Sequence, residues 1–445
     1  MHLAALLAGA LLLVWPAFLN GYPLVFSDTG AFLHQTLGPL VIWDKPHVYG
    51  PLLHAFHWRV TLWGPLLAQG LLLSWLLWLT QRALRGAAKP GLHLLTCLGA
   101  AALTTAPFTI ALLMPDVFAP VVLIALLLLG FSRDHLSRAE AVALGLIGAV
   151  GIAAHLSHLP LAAAIIALVL LMARRVGPVL RAAAPLAGAV LILLATNLWG
   201  HGRAVLSPHG ATFALARLQA DGPAAAVIQA RCPESGWYLC AFTDRLPMES
   251  DEFLWDPASP VNRAPDGTDR FLGGALLSAE AGVILRETLR AHPLEVAALA
   301  IRNSWTQLVI AHAGDTLVPD HLAAAVRPRI AEGFPPRELA AWDAALQPRG
   351  ALPAAVAPFL WPHALVLLAG AVLALLAWWR AAQAGDLRRL GLVVGVLVGV
   401  TANAVAAGAL SKPNPRYEAR ILWLVPVVAA LALLPRRPRT GTALQ

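Results

Sequence analysis

Charge is what this sequence has least of. Asp, Glu, Lys and Arg make up 13% of its 445 residues, against 58% hydrophobic ones; a water-soluble globular chain carries roughly twice that charged share. Lysine is scarcer still, at three residues against 29 arginines amid abundant Ala, Leu, Gly and Pro, a bias that reads as a GC-rich bacterial genome. The net charge of +8 is not gathered into any basic stretch interleaved with aromatics on a soluble module, which argues against a nucleic-acid partner. No basic run and no small-residue cleavage site precede Trp15-Pro16, so the first apolar segment is expected to be a retained helix rather than a signal peptide. Of the three cysteines, Cys97 falls inside an apolar run, leaving Cys232 and Cys240, eight positions apart, as one pair in the least apolar part of the chain.

What the sequence does have is long apolar runs, among them Leu3 to Phe18, Leu62 to Leu79, Val117 to Leu129, Ala364 to Trp379 and Leu390 to Leu410. Several approach the roughly 20 residues that cross a bilayer as a helix. The expectation is an all-α polytopic membrane protein of about ten spans, near 3–20, 60–80, 92–107, 115–131, 139–156, 159–173, 182–200, 356–379, 388–410 and 421–435. Alternate loops carry the arginines: Arg82, Arg85 and Lys89; Arg133 and Arg138; Arg174, Arg175 and Arg181; Arg380, Arg388 and Arg389; Arg436, Arg437 and Arg439. The positive-inside rule makes these loops and both termini cytoplasmic. The opposite loops hold only Lys45, Arg59, Lys412, Arg416 and Arg420, apart from the long segment 201–355, which that rule exempts. Three regions follow: an N-terminal membrane module 1–200, a periplasmic domain 201–355 between the seventh and eighth spans, and a C-terminal membrane module 356–445. The location expected is a bacterial inner membrane. An oxidising periplasm predicts a Cys232–Cys240 disulfide.

The outer loops hold the candidate chemistry. Ser27-Asp28-Thr29-Gly30 follows the first span, and Met114-Pro115-Asp116 stands at the head of the fourth; either carboxylate can be a helix cap or a functional acid. Asp-Thr-Gly occurs in aspartic proteases, but a second copy and β-rich lobes are missing. His155 and His158 share a helix face, which suits metal binding, proton transfer or phosphate contact, and equally an interhelical hydrogen-bonded pair. His34, His47, His54 and His57 beside Asp44 match no recognised ligand spacing. Lys412, Arg416, Tyr417 and Arg420 precede the last span; guanidinium groups bind phosphate bidentately, or snorkel to lipid headgroups. The coincidence of acids, imidazoles and cations from distant helices on one face is the signal, since polar groups at membrane depth are usually functional.

The acid in the first outer loop (Asp28), the boundary Pro115-Asp116, Arg416-Tyr417 before the last helix, and about seven spans followed by an outer domain together resemble the integral-membrane C-type (GT-C) glycosyltransferases. These take sugars from polyprenyl-phosphate donors on the outer face. The resemblance implies transfer to a periplasmic or lipid-linked acceptor with inversion, Asp28 as general base, Arg416 and Arg420 holding the lipid phosphate with Lys412, Tyr417, His155 and His158 nearby, and Asp116 placing a sugar hydroxyl or a cation. The lone acid of Ser27-Asp28-Thr29 departs from the acidic pair of many relatives, so a divalent cation is left open as cofactor. Two other readings remain: a transporter or flippase of a lipid-linked or anionic substrate, which would need charges along a path through the spans and often repeated halves, neither of which is seen; and a non-catalytic assembly protein.

Overall fold

A computed structural model describes residues 2–39, 41–310 and 312–436; Arg437 and Arg439, counted above among the cytoplasmic charges, lie outside them. Every regular element among the described residues is a helix, and the only pairings of strand type are isolated bridges, Leu24 with Leu112 and Arg263 with Asp269. Among the described residues, nine helices of nine residues or more form the first half: α1 His2–Leu13, α2 Ser27–Leu37, α3 Tyr49–His57, α4 Trp63–Arg85, α5 Pro90–Leu103, α6 Phe118–Phe131, α7 Arg138–Ala154, α8 His158–Ala173 and α9 Val176–His201. The second half contributes α10 Gly210–Ala220, α11 Pro223–Arg231, α12 Gly273–Ala291, α13 Pro293–Val309, α14 Pro362–Gln383, α15 Leu387–Leu410, α16 Pro415–Leu422 and α17 Leu424–Leu433, with the nine-residue helices Pro336–Ala344 and Leu352–Leu360 ahead of α14 and shorter helices and turns elsewhere. Trp63–Arg85, Val176–His201, Leu352–Gln383 and Leu387–Leu410 are long and apolar enough to cross a membrane, and shorter apolar helices stand beside them. The chain is a multi-pass membrane protein. Leu191, Leu365 and Val372 turn apolar side chains outward from such helices, as lipid-facing positions must.

The centre is α6, apolar all round and buried along its length, the expected fate of a helix without a polar face. It is enclosed by α4, α7, α8, α9 and α15. Lipid tails remove the hydrophobic drive between helices, so close van der Waals fit must do more of the holding. A stripe of Gly391, Gly395 and Gly399 on α15 supplies that fit: a Cβ added at these positions would lie 2.6, 2.1 and 2.5 Å from Phe131, Leu127 and Leu123 of α6. Asn403 continues the same face of α15 four residues on, so the glycine stripe also sets how close that amide comes to the head of α6.

The long segment divides between two cores. Leu215, Ile228, Leu239, Phe253, Leu277 and Ile284 form one of their own, with Cys232 and Cys240 joined there by a disulfide. Residues 313–356 instead pack into the main core through Leu317, Val326, Ile330, Trp342 and Leu352. They lie on the first outer loop: the Tyr22 hydroxyl donates to Glu338 at 2.8 Å, and Gly30 lies so near the Ala325 carbonyl that any side chain there would collide with it.

Candidate functional site

Three segments at one end of the bundle are laced together before any functional side chain is placed. Leu24 pairs with the segment around Leu112 through two backbone bonds, Leu24 N donating to Ala111 O at 3.1 Å and Leu113 N donating to Leu24 O at 2.9 Å. Gln347, 1% exposed, then staples them to the third: its amide nitrogen donates to Val25 O at 2.7 Å and Thr316 O at 2.8 Å, and its oxygen accepts from Val25 N at 3.1 Å. A buried amide with all its partners fixed makes a rigid joint.

Asp28 sits in the first turn of α2, but it is Thr29 that accepts from the Phe26 amide at 2.9 Å while donating to Leu113 O at 3.0 Å. The capping work is thus done by Thr29, and the Asp28 carboxylate is free to pair with Lys45, whose ammonium lies 3.2 Å from its Oδ1. Burial by itself would raise the Asp28 carboxyl; Lys45 and Arg416 outweigh it and hold it below the usual carboxylate range. Asp116, 1% exposed, also makes no capping bond. Its Oδ1 lies 3.2 Å from Nη1 of Arg420 and 3.7 Å from Nε of Arg416.

The two arginines come from α16, which begins early enough to place them one turn apart on one face. Pro415 opens the helix and the Asn414 side chain caps it, accepting from Arg416 N at 3.0 Å. Arg420 is wholly buried and nearly saturated: it donates to Asn403 Oδ1 from Nε at 3.2 Å and from Nη2 at 2.7 Å, to Ser157 Oγ at 3.0 Å and to Asp116. Arg416 differs. Its guanidinium lies 4.3 Å from the Phe26 ring centre and 5.0 Å from that of Tyr417, and donates to the Tyr417 hydroxyl at 3.2 Å, while Nε and Nη1, both buried, have no hydrogen-bond acceptor among the described residues.

His155 and His158 stand behind Arg420. His155 Nδ1 and Ser157 Oγ are 2.7 Å apart, and His158 donates from Nδ1 to Gly151 O at 2.7 Å, leaving Nε2 without a partner. Lys412 is drawn away from this group, pairing with Glu249 at 2.8 Å and Asp251 at 2.5 Å. His54 and His57 face each other, while His47 packs on Trp199. No group of three or more His, Cys, Asp or Glu side chains among the described residues is arranged to hold a metal ion.

Two members were not singled out by sequence. Lys45 was counted only as an outer-loop charge, although its adjacency to Asp44 in an acid-bearing loop was a signal. Asp315 lies in Gly314-Asp315-Thr316, beyond any span, with nothing local to mark it. With Asp116, Thr316 and Arg416, and with Phe108 and Leu112 as apolar walls, it lines a cavity of about 10 Å³, room for about one water. Both its oxygens lack hydrogen-bond partners among the described residues. Burial raises the Asp315 carboxyl, Arg416 partly opposes this, and the charge of Asp116 adds to the rise.

The fold and this cluster define a helical, multi-pass membrane protein with a buried acid and arginine centre at one end of its bundle. No protein-family model and no curated protein match the chain. Among solved structures it is similar to the archaeal oligosaccharyltransferase AglB from Archaeoglobus fulgidus in complex with an inhibitory peptide and a dolichol-phosphate. The identity is 16% and the TM-score 0.47, over 97% of this chain and 50% of the other. The chain spans about half the length of that structure.

Proposed function

We propose that this protein is a membrane glycosyltransferase that moves a sugar from a polyprenyl-phosphate donor to a periplasmic or lipid-linked acceptor. The observation that carries the reading is Arg416: a buried guanidinium with two unused N–H groups, facing a cavity shared with Asp116 and Asp315, and near the carboxylate of Asp28. A buried arginine with idle donors is costly unless a ligand completes it, and the planar fork suits phosphate.

In this reading the donor phosphate sits on Arg416. As the bond between the anomeric carbon and the phosphate oxygen breaks, negative charge grows on the departing phosphate, and a fixed cation there stabilises the transition state more than the ground state. Arg420 acts through Asp116, keeping that carboxylate in place beneath the sugar, with Asn403 and Ser157 as its own anchors. Asp28 accepts the proton of the incoming hydroxyl. Its depressed basicity makes it a weak base that is always ionised, which fits a reaction whose bond breaking runs ahead of proton transfer. Attack opposite the leaving phosphate inverts the anomeric centre. The active face is periplasmic, the ten helical runs are spans of a bacterial inner membrane, and both termini are cytoplasmic.

The test is direct. Purified protein is incubated with a panel of polyprenyl-phosphate sugars, and release of the lipid phosphate is followed. Turnover of at least one donor, lost in Asp28→Asn and Arg416→Ala variants that elute and melt like the parent, is the expected result. No release from any donor by well-folded protein rejects the reading.

A further inference from the structure

The cation of this site is already present as a side chain. Lys45 Nζ lies 3.2 Å from Asp28 Oδ1 and also bonds Asp44. Its side chain is 12% exposed, and the ammonium stands 6.0 Å from the Phe32 ring centre and 5.5 Å from that of Trp255. An ammonium is strongly hydrated in water, so burying it requires replacements for that shell. Two carboxylates and two aromatic faces provide them. Burial would strip the proton from Lys45, but Asp28 and Asp44 outweigh it and keep the group charged.

We infer that Lys45 occupies the place a divalent cation would take beside Asp28, and that the site works without a metal ion. A small divalent ion needs carboxylate oxygens at about 2.0–2.1 Å with near-octahedral geometry. An ion at that distance from Asp28 would stand within a few ångströms of the Lys45 ammonium, and like charges at such separations repel. The second boundary carboxylate offers little more: Asp116 Oδ1 is taken by Arg420 and Arg416, and its cavity, like that of Asp315, already contains the Arg416 guanidinium. Three carboxylates, Asp28, Asp44 and Asp116, are thus answered by three fixed cations, Lys45, Arg416 and Arg420. Lys45 is a positioning residue. It holds Asp28 ionised and oriented, and its Trp255 contact links it to the short helix that carries Phe253 and Leu254 of the second core. Its part in sugar transfer rests on the function proposed above; the exclusion of the ion does not.

Mn2+ uptake tests this without any donor. Chelator-treated full-length protein in detergent is titrated with Mn2+, and the free-ion paramagnetic resonance signal is read. The parent is expected to leave the signal unchanged at equal concentrations. Lys45→Met, which removes the charge and keeps most of the length, leaves Asp28 and Asp44 without their shared cation and is expected to take up one ion per chain. The double variant with Asp28→Asn is expected to lose that uptake, and Lys45→Arg is expected to behave as the parent. Stoichiometric uptake by the parent overturns the inference, whichever carboxylates hold the ion, and so does a Lys45→Met protein that melts like the parent yet binds none. Should Lys45→Met not fold, the parent alone decides: no uptake and no shift in melting temperature on chelation support the lysine, and either change overturns it. Failure to release lipid phosphate from any donor, with the Mn2+ results as expected, rejects the transferase reading and leaves the lysine in place.

Discussion

Arg416 and Arg420 are neighbours on one helix turn with opposite situations. Arg420 has spent nearly all its donors on Asp116, Ser157 and Asn403; Arg416 keeps two in reserve. Replacing Arg416 with alanine is therefore expected to lower lipid-phosphate release by about 10²–10³, the usual loss when one charge-stabilising donor is removed. Lysine at that position is expected to restore only part, because a point charge replaces a fork. The neighbouring acid makes a prediction in pH. Lys45 and Arg416 hold the Asp28 carboxyl below its ordinary value, so its ionised form survives as pH falls, and the acid limb of kcat/KM should lie below the usual carboxylate range. In Lys45→Met the largest opposing charge is gone, leaving Arg416 alone against desolvation, and the limb should move upward; a profile unmoved by that substitution contradicts the pairing. At this scale the sequence was informative about residue types and poor about pairing. Asp28, Asp116, Arg416 and Arg420 stand out as polar groups at span boundaries, whereas Asp315 looks like any loop acid and only its lack of partners marks it.

At the scale of elements, the packing of α6 against α15 decides whether those residues meet. Asp116 heads α6 through the short turn Pro115–Val117, and Asn403 lies on the glycine face of α15. A leucine at Gly395 would drive a side chain into Leu127, where even a bare Cβ comes to 2.1 Å. Such overpacking costs about 1–3 kcal/mol, so Gly395→Leu should lower the melting temperature and also reduce turnover, by moving Asn403 and Arg420 away from Asp116. A lesser change is expected at the cap: Asn414→Ala removes the bond to Arg416 N, worth about 1 kcal/mol, and should loosen the first turn that aims Arg416, visible as reduced turnover with little change in melting. The helices themselves were legible, because apolar runs between arginine-bearing loops are what the bilayer selects. Their ends were less so. The apolar run 92–107 is broken after Leu103, with a separate turn at Ala106–Ile110, since Thr104 bonds back to Ala100 O at 2.6 Å and Pro107 lies just beyond.

For the whole molecule, the proposed orientation is tested by labelling. In a cysteine-free background, a cysteine at Asp266 should react with a membrane-impermeant maleimide added to intact cells stripped of their outer membrane, and one at Lys89 only after lysis; the reverse pattern inverts the topology and removes the periplasmic site. Composition and apolar runs determined by themselves that this chain lives in a bilayer, because these are properties of sums over many residues and the membrane acts on sums. They also placed two acids and two arginines at one boundary. Only the tertiary structure decided that residues 313–356 pack on the loop that carries Asp28, that Lys45 rather than a cap engages Asp28, and that Arg420 is nearly saturated while Arg416 keeps two N–H groups without an acceptor among the described residues. Each of those depends on one side chain meeting another tens to hundreds of positions away, at distances that a glycine stripe or a single buried glutamine sets, and no local pattern encodes such a meeting.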